Sequence, residues 1–196
     1  MNLSIIILAA GGSTRLGKPK QLLKYEGKTL IENCIESVIM LAPKTQINVV
    51  LGAYFFEILP FVQNYEVNIL ENRNWQNGMS ASIKMGVLAG LESNSDAILF
   101  LTSDQIFVTK AYLKTLITEF KNNQSKICAS IYEQEMGIPM IVPKDFFDDL
   151  LRLEGDKGGK FLTKKYPSQT RVIAFEKGIV DIDTIEDVSK YLPTQD

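Results

Sequence analysis

The sequence predicts an α/β fold: one mostly parallel central sheet with helices on both faces, carried by a single domain over residues 1–196. Three observations predict it. Short apolar runs rich in Ile, Val and Leu alternate with segments of helical period at the spacing of βαβ units. The first run, residues 3–7, passes straight into a glycine-rich loop, as a buried strand does at the ligand-binding rim of such a sheet. A chain of 196 residues with 45% apolar content can bury one good core.

In chain order, residues 28–41 place Leu30, Ile31, Cys34, Ile35, Val38 and Ile39 at helical spacing, and Ala42-Pro43 stops the pattern. Residues 47–51 read as a strand closed by Gly52. A weaker helix at 54–63 is expected to break or restart around Pro60. A short strand at 67–70 precedes a helix at 79–91 with Ile83, Val87, Leu88 and Leu91 inward. Residues 96–101 are the most strand-like run, and Asp104 follows three residues after its end. Thr109 caps a helix over 110–122, strands follow at 126–132 and 139–142, and a helical section begins at 143–153. The polar stretch 122–125 is a surface turn, so no linker divides the chain.

Lys and Arg total 21 against 23 Asp and Glu, a formal charge of −2, so no global basic field exists to hold nucleic acid or an anionic membrane. The apolar run at 3–7 has no basic leader and is too short for a signal peptide, and no stretch reaches the roughly 18 to 20 apolar residues of a membrane span. The expectation is a cytoplasmic protein. Cys34 and Cys128 sit among apolar neighbours and read as buried free thiols. The absence of histidine excludes Ser-His-Asp and Cys-His nucleophiles, histidine-ligated zinc and imidazole bases. Any reaction must run on carboxylates, cations and metal ions.

The most informative stretch is Leu8-Ala9-Ala10-Gly11-Gly12-Ser13-Thr14-Arg15-Leu16-Gly17-Lys18-Pro19-Lys20. Its glycines let backbone N–H groups approach an anion, and Arg15, Lys18 and Lys20 add three nearby cations. A polyphosphate is the natural guest. Residues 12–18 match the start of a P-loop, but Pro19 stands where Ser or Thr should follow, and the glycines do not fit the dinucleotide fingerprint.

This run resembles the signature loop L-A-[AG]-G-x-S-x-R-[ML]-G-x-x-K of nucleotidyltransferases, which move an NMP from an NTP to an acceptor and release pyrophosphate. Further segments resemble, in order, the molybdenum cofactor cytidylyltransferase branch of the MobA-like NTP transferases. They are Asn74-Trp75-Gln76-Asn77-Gly78-Met79-Ser80-Ala81-Ser82-Ile83, Leu101-Thr102-Ser103-Asp104-Gln105, Leu153-Glu154-Gly155-Asp156-Lys157-Gly158 and Asp181-Ile182-Asp183-Thr184. The resemblance implies a Rossmann-like nucleotidyltransferase fold, CTP as donor, Mg²⁺ as cofactor and a phosphorylated acceptor, molybdopterin. It also implies a molybdoenzyme that receives the product.

Residue by residue, the resemblance implies that Leu8, Ala9, Ala10, Gly11, Gly12 and Ser13 cradle the nucleotide and that Arg15 and Lys20 neutralise its phosphates. Gly78 and Ser82 are expected at the base, although Gly78 and Ser80 read equally as a turn and a helix cap. Asp104 is expected as catalytic metal ligand, with Asp183 as its partner; from the residues alone, Asp183 or Thr184 is a helix cap. Gly155 to Gly159 reads either as an acceptor-side segment or as a plain turn, and Trp75 as a core or rim residue. Two departures are Asp104-Gln105-Ile106, where relatives often read Asp-Gln-Pro, and Gly137-Ile138-Pro139, where they often read Gly-His-Pro.

Rival functions are a guanylyltransferase for the same cofactor, a sugar-phosphate nucleotidyltransferase and a non-catalytic nucleotide sensor. Ala10 favours CTP over GTP, because guanylyl relatives commonly carry Gly there. A chain without histidine has no ready base at neutral pH, so an acceptor phosphate, already anionic, suits it best.

Overall fold

The chain folds around its first strand, β1 (Leu3–Ala9), all seven of whose residues are buried. The computed structural model describes residues 1–41 and 46–192. After β1 come a small hairpin, β2 (Lys24–Tyr25) and β3 (Lys28–Thr29), then α1 (Leu30–Val38), β4 (Gln46–Leu51), α2 (Phe55–Val62) and β5 (Asn68–Glu71). Next are α3 (Met79–Glu92), β6 (Ala97–Thr102), α4 (Lys110–Asn122), β7 (Ile127–Tyr132) and β8 (Glu135–Pro143). Finally come α5 (Phe147–Leu151), α6 (Gly159–Lys165), β9 (Thr170–Ala174) and α7 (Ile185–Tyr191).

The main sheet has seven strands in the order β5-β4-β1-β6-β8-β7-β9. The β1, β4, β5 and β6 pairings and the β7–β9 pairing are parallel, whereas β8 runs antiparallel to both β6 and β7. A mostly parallel sheet with helices on both sides is what the apolar runs predicted. Alternation along β1 feeds both layers: Ile5, Ile7 and Ala9 pack with α1, α2 and α4, while Ile6 and Leu8 pack with α3, α5 and α6.

Several expectations need correction. Helix α2 runs unbroken through Pro60. The ring removes one N–H, whose acceptor would be the carbonyl of Phe56, a residue 81% exposed and open to water. Leu88 is 51% exposed rather than inward, because the face of α3 that meets the sheet carries Ile83, Gly86, Val87 and Gly90. Strand β8 is longer than the 139–142 run, and β9 and the β2–β3 hairpin went unforeseen because they are short or largely exposed. The helix stop at Ala42-Pro43 lies outside the described residues. Among the described residues Cys34 and Cys128 are free thiols, Cys34 half-buried and Cys128 buried.

Helix α7 is capped by Thr184, whose hydroxyl accepts from the Asp187 N–H while Asp187 Oδ2 accepts from the Thr184 N–H at 2.8 Å. This box leaves the Asp183 side chain free for other work. Burial pushes the Asp187 carboxyl up, but the Thr184 hydroxyl and the N–H groups of Asp183 and Thr184 outweigh it and hold it below the usual range. A depressed value contributes stability above the unfolded value near 4 that disappears as pH falls through the folded value. Asp187→Ala is therefore expected to cost about 1 kcal/mol at pH 7 and less at pH 2.5, below the unfolded value, measured by urea unfolding. An equal cost at both pH values would assign the loss to packing.

Candidate active site

Packing brings the two ends of the chain together. Leu16 and Leu23, which flank Lys20, share a buried cluster with Ile182, Leu30 and Leu192. The Ile182 N–H also donates to the Asp104 carbonyl at 3.2 Å. Residues 104 and 183 are thereby fixed beside the loop that follows β1.

Lys20 opens a single 3-10 turn (Lys20–Leu22), and its N–H donates to Ser13 Oγ at 3.2 Å. Its Nζ donates to Asp104 Oδ2 and, at 2.6 Å, to Asp183 Oδ1. Arg15 Nη2 lies 2.6 Å from the other oxygen, Asp183 Oδ2. Both side chains of the Lys20–Asp104 pair are about 15% exposed (15% and 14%), whereas Arg15 is 67% exposed. Asp104 Oδ1 is buried without a hydrogen-bond partner among the described residues.

Electrostatics follow from this geometry. Burial pulls the Lys20 ammonium down, but Asp104 and Asp183 more than offset it and hold it above the usual lysine range. Burial pushes Asp183 up, yet Lys20 and Arg15 hold it below the usual carboxylate range. Asp181 goes the other way: although the residue is exposed at the cleft wall, loss of solvent around its carboxyl, first, and then the charges of Asp104 and Asp183 raise it to about 7. That residue was not singled out from the sequence. The signal was available, since an extended Asp181-Ile182-Asp183 alternates its side chains, sending both carboxylates one way and Ile182 into the core.

The site divides a cleft into two lobes that share Lys20, Met79, Thr102, Asp104 and Asp156. The smaller, about 340 Å³, is lined by Leu8, Ala9, Ala10, Gly11, Gly12, Gly78 and Ser82, together with Trp75 and Gln21. The larger, about 780 Å³, holds Arg15, Asp181 and Asp183, with Lys157, Lys160, Lys164 and Phe161 on its α6 side. Most of the expected nucleotide residues thus share one wall, whereas Arg15 and Asp183 lie on the other side of Lys20. Ser13 is not on that wall; its hydroxyl instead anchors Lys20.

Other expectations are refined. Gly78, not Ser80, caps α3, with φ +88° and room for no side chain, because a Cβ would come within 2.6 Å of Asp156 Oδ1. The Ser80 N–H instead donates to the Gly155 carbonyl at 3.0 Å, which sets the turn at 155–158 against the start of α3. Ser82 Oγ accepts from Asn72 Nδ2 at 2.9 Å, so a buried asparagine orients it. Ala10 is 5% exposed and its side chain belongs to the core layer, so it shapes the floor of the smaller lobe. Trp75 is a rim residue, its ring packed on Gly12, where a Cβ would lie 3.0 Å from Cζ3.

The donor set is hard oxygen, which suits a divalent cation such as Mg²⁺ or Mn²⁺. Among the described residues no group of three or more Asp, Glu, Cys or His side chains forms a complete metal cage. Asp104 and Asp183 would supply two ligands, and phosphate oxygens the rest.

The site is a half-buried lysine held by two carboxylates beside a glycine loop at the rim of an α/β sheet. The chain belongs to the MobA-like NTP transferase domain family, whose model matches residues 5–171. It is 25% identical over 195 residues, 95% of each chain, to "Nicotine blue oxidoreductase" of Paenarthrobacter nicotinovorans. It is 27% identical over 130 residues, 63% of this chain and 57% of the other, to a "Probable molybdenum cofactor guanylyltransferase" of Natranaerobius thermophilus. Among solved structures it resembles Rv0371c of Mycobacterium tuberculosis H37Rv, with TM-score 0.84, 27% identity and 98% of both chains covered. A manganese complex of Rv0371c aligns with TM-score 0.80 at 25% identity, over 99% of this chain and 100% of that one. These names span two reaction classes, so family membership alone does not choose the chemistry. No helix among the described residues is long and apolar enough to cross a membrane.

Proposed function

We propose that this protein transfers CMP from CTP to the terminal phosphate of the molybdenum cofactor pterin, releasing pyrophosphate. The observation that carries the reading is Lys20, fixed on the seam between the two lobes by Asp104 and Asp183. A group on that seam faces both the donor's α-phosphate and the attacking acceptor. The smaller lobe takes the nucleotide, with the backbone of Gly11 and Gly12 against the phosphates. Its modest volume and the Ala10 methyl in its floor suit a pyrimidine. The larger lobe takes the acceptor; its lining mixes carboxylates with cations, and Lys157 and Lys164 on its α6 side suit the phosphate of that acceptor, whereas Lys160 is paired with Glu135.

An acceptor phosphate oxygen attacks the α-phosphorus, the bond to the bridging oxygen breaks, and pyrophosphate leaves. The nucleophile is already anionic, so no proton need be removed. Lys20 and Arg15 bring the two anions together and stabilise the charge that moves onto the leaving group. A Mg²⁺ held by Asp104 and Asp183 would neutralise part of the phosphate charge. The manganese complex of the M. tuberculosis protein and the guanylyltransferase relative support a metal and a molybdenum cofactor acceptor.

The choice of base is tested by thermal shift with CTP, GTP, UTP, ATP and dTTP, each with Mg²⁺, since a ligand that binds only the native state raises its melting point. CTP is expected to give the largest shift. A GTP shift as large at matched concentration would replace the cytidylyl reading by the guanylyl one.

A further inference from the structure

Gln21 directly follows Lys20 and is 1% exposed. Its Nε2 donates to the Ala9 carbonyl at 2.8 Å and to the Gly11 carbonyl at 3.2 Å. Both hydrogens of one carboxamide are therefore spent on the backbone of the glycine loop. The neighbouring Lys20 N–H is held by Ser13 Oγ. Two consecutive residues thus fasten the loop at positions 9, 11 and 13.

A trans peptide unit points its N–H opposite to its C=O. With the Ala9 and Gly11 carbonyls turned toward the buried amide, the N–H groups of Ala10 and Gly12 point away from it. Ala10, Gly11 and Gly12 all line the smaller lobe. Backbone N–H groups presented together in this way form an anion-binding concavity.

We propose that Gln21 is a positioning residue for triphosphate binding, holding the loop carbonyls back so that the loop N–H groups face the ligand. The inference rests on the reading that the smaller lobe takes a nucleoside triphosphate. Because Lys20 and Gln21 are adjacent, one short turn sets both the seam cation and the backbone cradle. The side chain itself touches no reacting atom.

Two variants separate this role from simple filling of space. Gln21→Met keeps the length but donates nothing, and Gln21→Glu keeps the shape but replaces the donor with an acceptor facing two carbonyls. In ligand-free protein, ¹⁵N relaxation order parameters at Gly11 and Gly12 are expected to drop below about 0.6 in both variants, while those along α3 are unchanged. Titration with inorganic triphosphate is expected to show about tenfold weaker binding, and KM for the NTP to rise by a similar factor with kcat within about twofold. Order parameters and triphosphate affinity at wild-type level in either folded variant would overturn the proposal. Failure of the wild-type protein to bind any triphosphate would instead contradict the proposed function, while the order parameters would still decide whether Gln21 holds the loop.

Discussion

Asp104→Asn is expected to lower pyrophosphate release by on the order of 100- to 1,000-fold while the protein stays folded. The change swaps a carboxylate for an amide of the same shape at the end of β6, so the strand and the Ile182–Asp104 backbone bond are untouched. Lys20 keeps Asp183 as a partner at 2.6 Å. What disappears is the negative charge, together with the buried and unpartnered Oδ1, which makes a poor metal ligand as an amide nitrogen or a neutral oxygen. Turnover within tenfold of wild type in a variant of normal stability would remove Asp104 from the chemistry.

Lys20→Met is expected to damage both activity and stability. Without the ammonium, Asp104 and Asp183 lose their shared partner, with Asp181 near them and the exposed Arg15 still paired with Asp183. Losing a charged hydrogen-bond partner in a half-screened site costs about 2 kcal/mol, which for a chain of this size lowers the melting point by roughly 4 to 8 °C. A divalent cation should bind Asp104 and Asp183 more tightly once the ammonium no longer competes for their oxygens. Millimolar Mn²⁺ is therefore expected to restore most of the melting point in the variant, while activity remains low because the phosphates lose their own counter-ion. A variant as stable as wild type, or one that Mn²⁺ does not rescue, would show that Lys20 is not the counter-ion of this pair.

Much of the fold was legible because strong local patterns agreed with the topology. The buried run of β1 and the loop after it, the β6 run ending just before Asp104, and the Thr109 cap of α4 all fall where period and capping chemistry place them. What escaped was long-range or weakly patterned. Strand β9 has the burial of an edge strand, so its sequence lacks the apolar run that marks β1 or β6. Leu88 was misread because apolar residues at 83, 85, 87, 88, 89 and 91 leave the helix face ambiguous, and two glycines, invisible to an apolar pattern, settle it.

The site was legible in part for the same reason. Glycines, Arg15 and Lys20 lie in one contiguous loop, and Asp104 sits at a strand end, where local reasoning works. Asp181 escaped because its raised pKa depends on how the fold encloses its carboxyl and on the charge of Asp104, 77 positions away, which only the fold brings near, as well as on neighbouring Asp183. Gln21 and Asn72 escaped because an amide carries no motif; their importance lies in which carbonyl or hydroxyl they meet.

The central claim is that CMP passes to an acceptor phosphate on the seam occupied by Lys20. The direct measurement incubates the protein with CTP, Mg²⁺ and the pterin phosphate, following pyrophosphate release and the mass of the product. The account predicts one pyrophosphate per acceptor consumed and a product joined to CMP through a phosphoanhydride, with both lost in Lys20→Met. Pyrophosphate release with no nucleotide on the acceptor phosphate, or conversion of the acceptor by oxidation or reduction with CTP left intact, would contradict it.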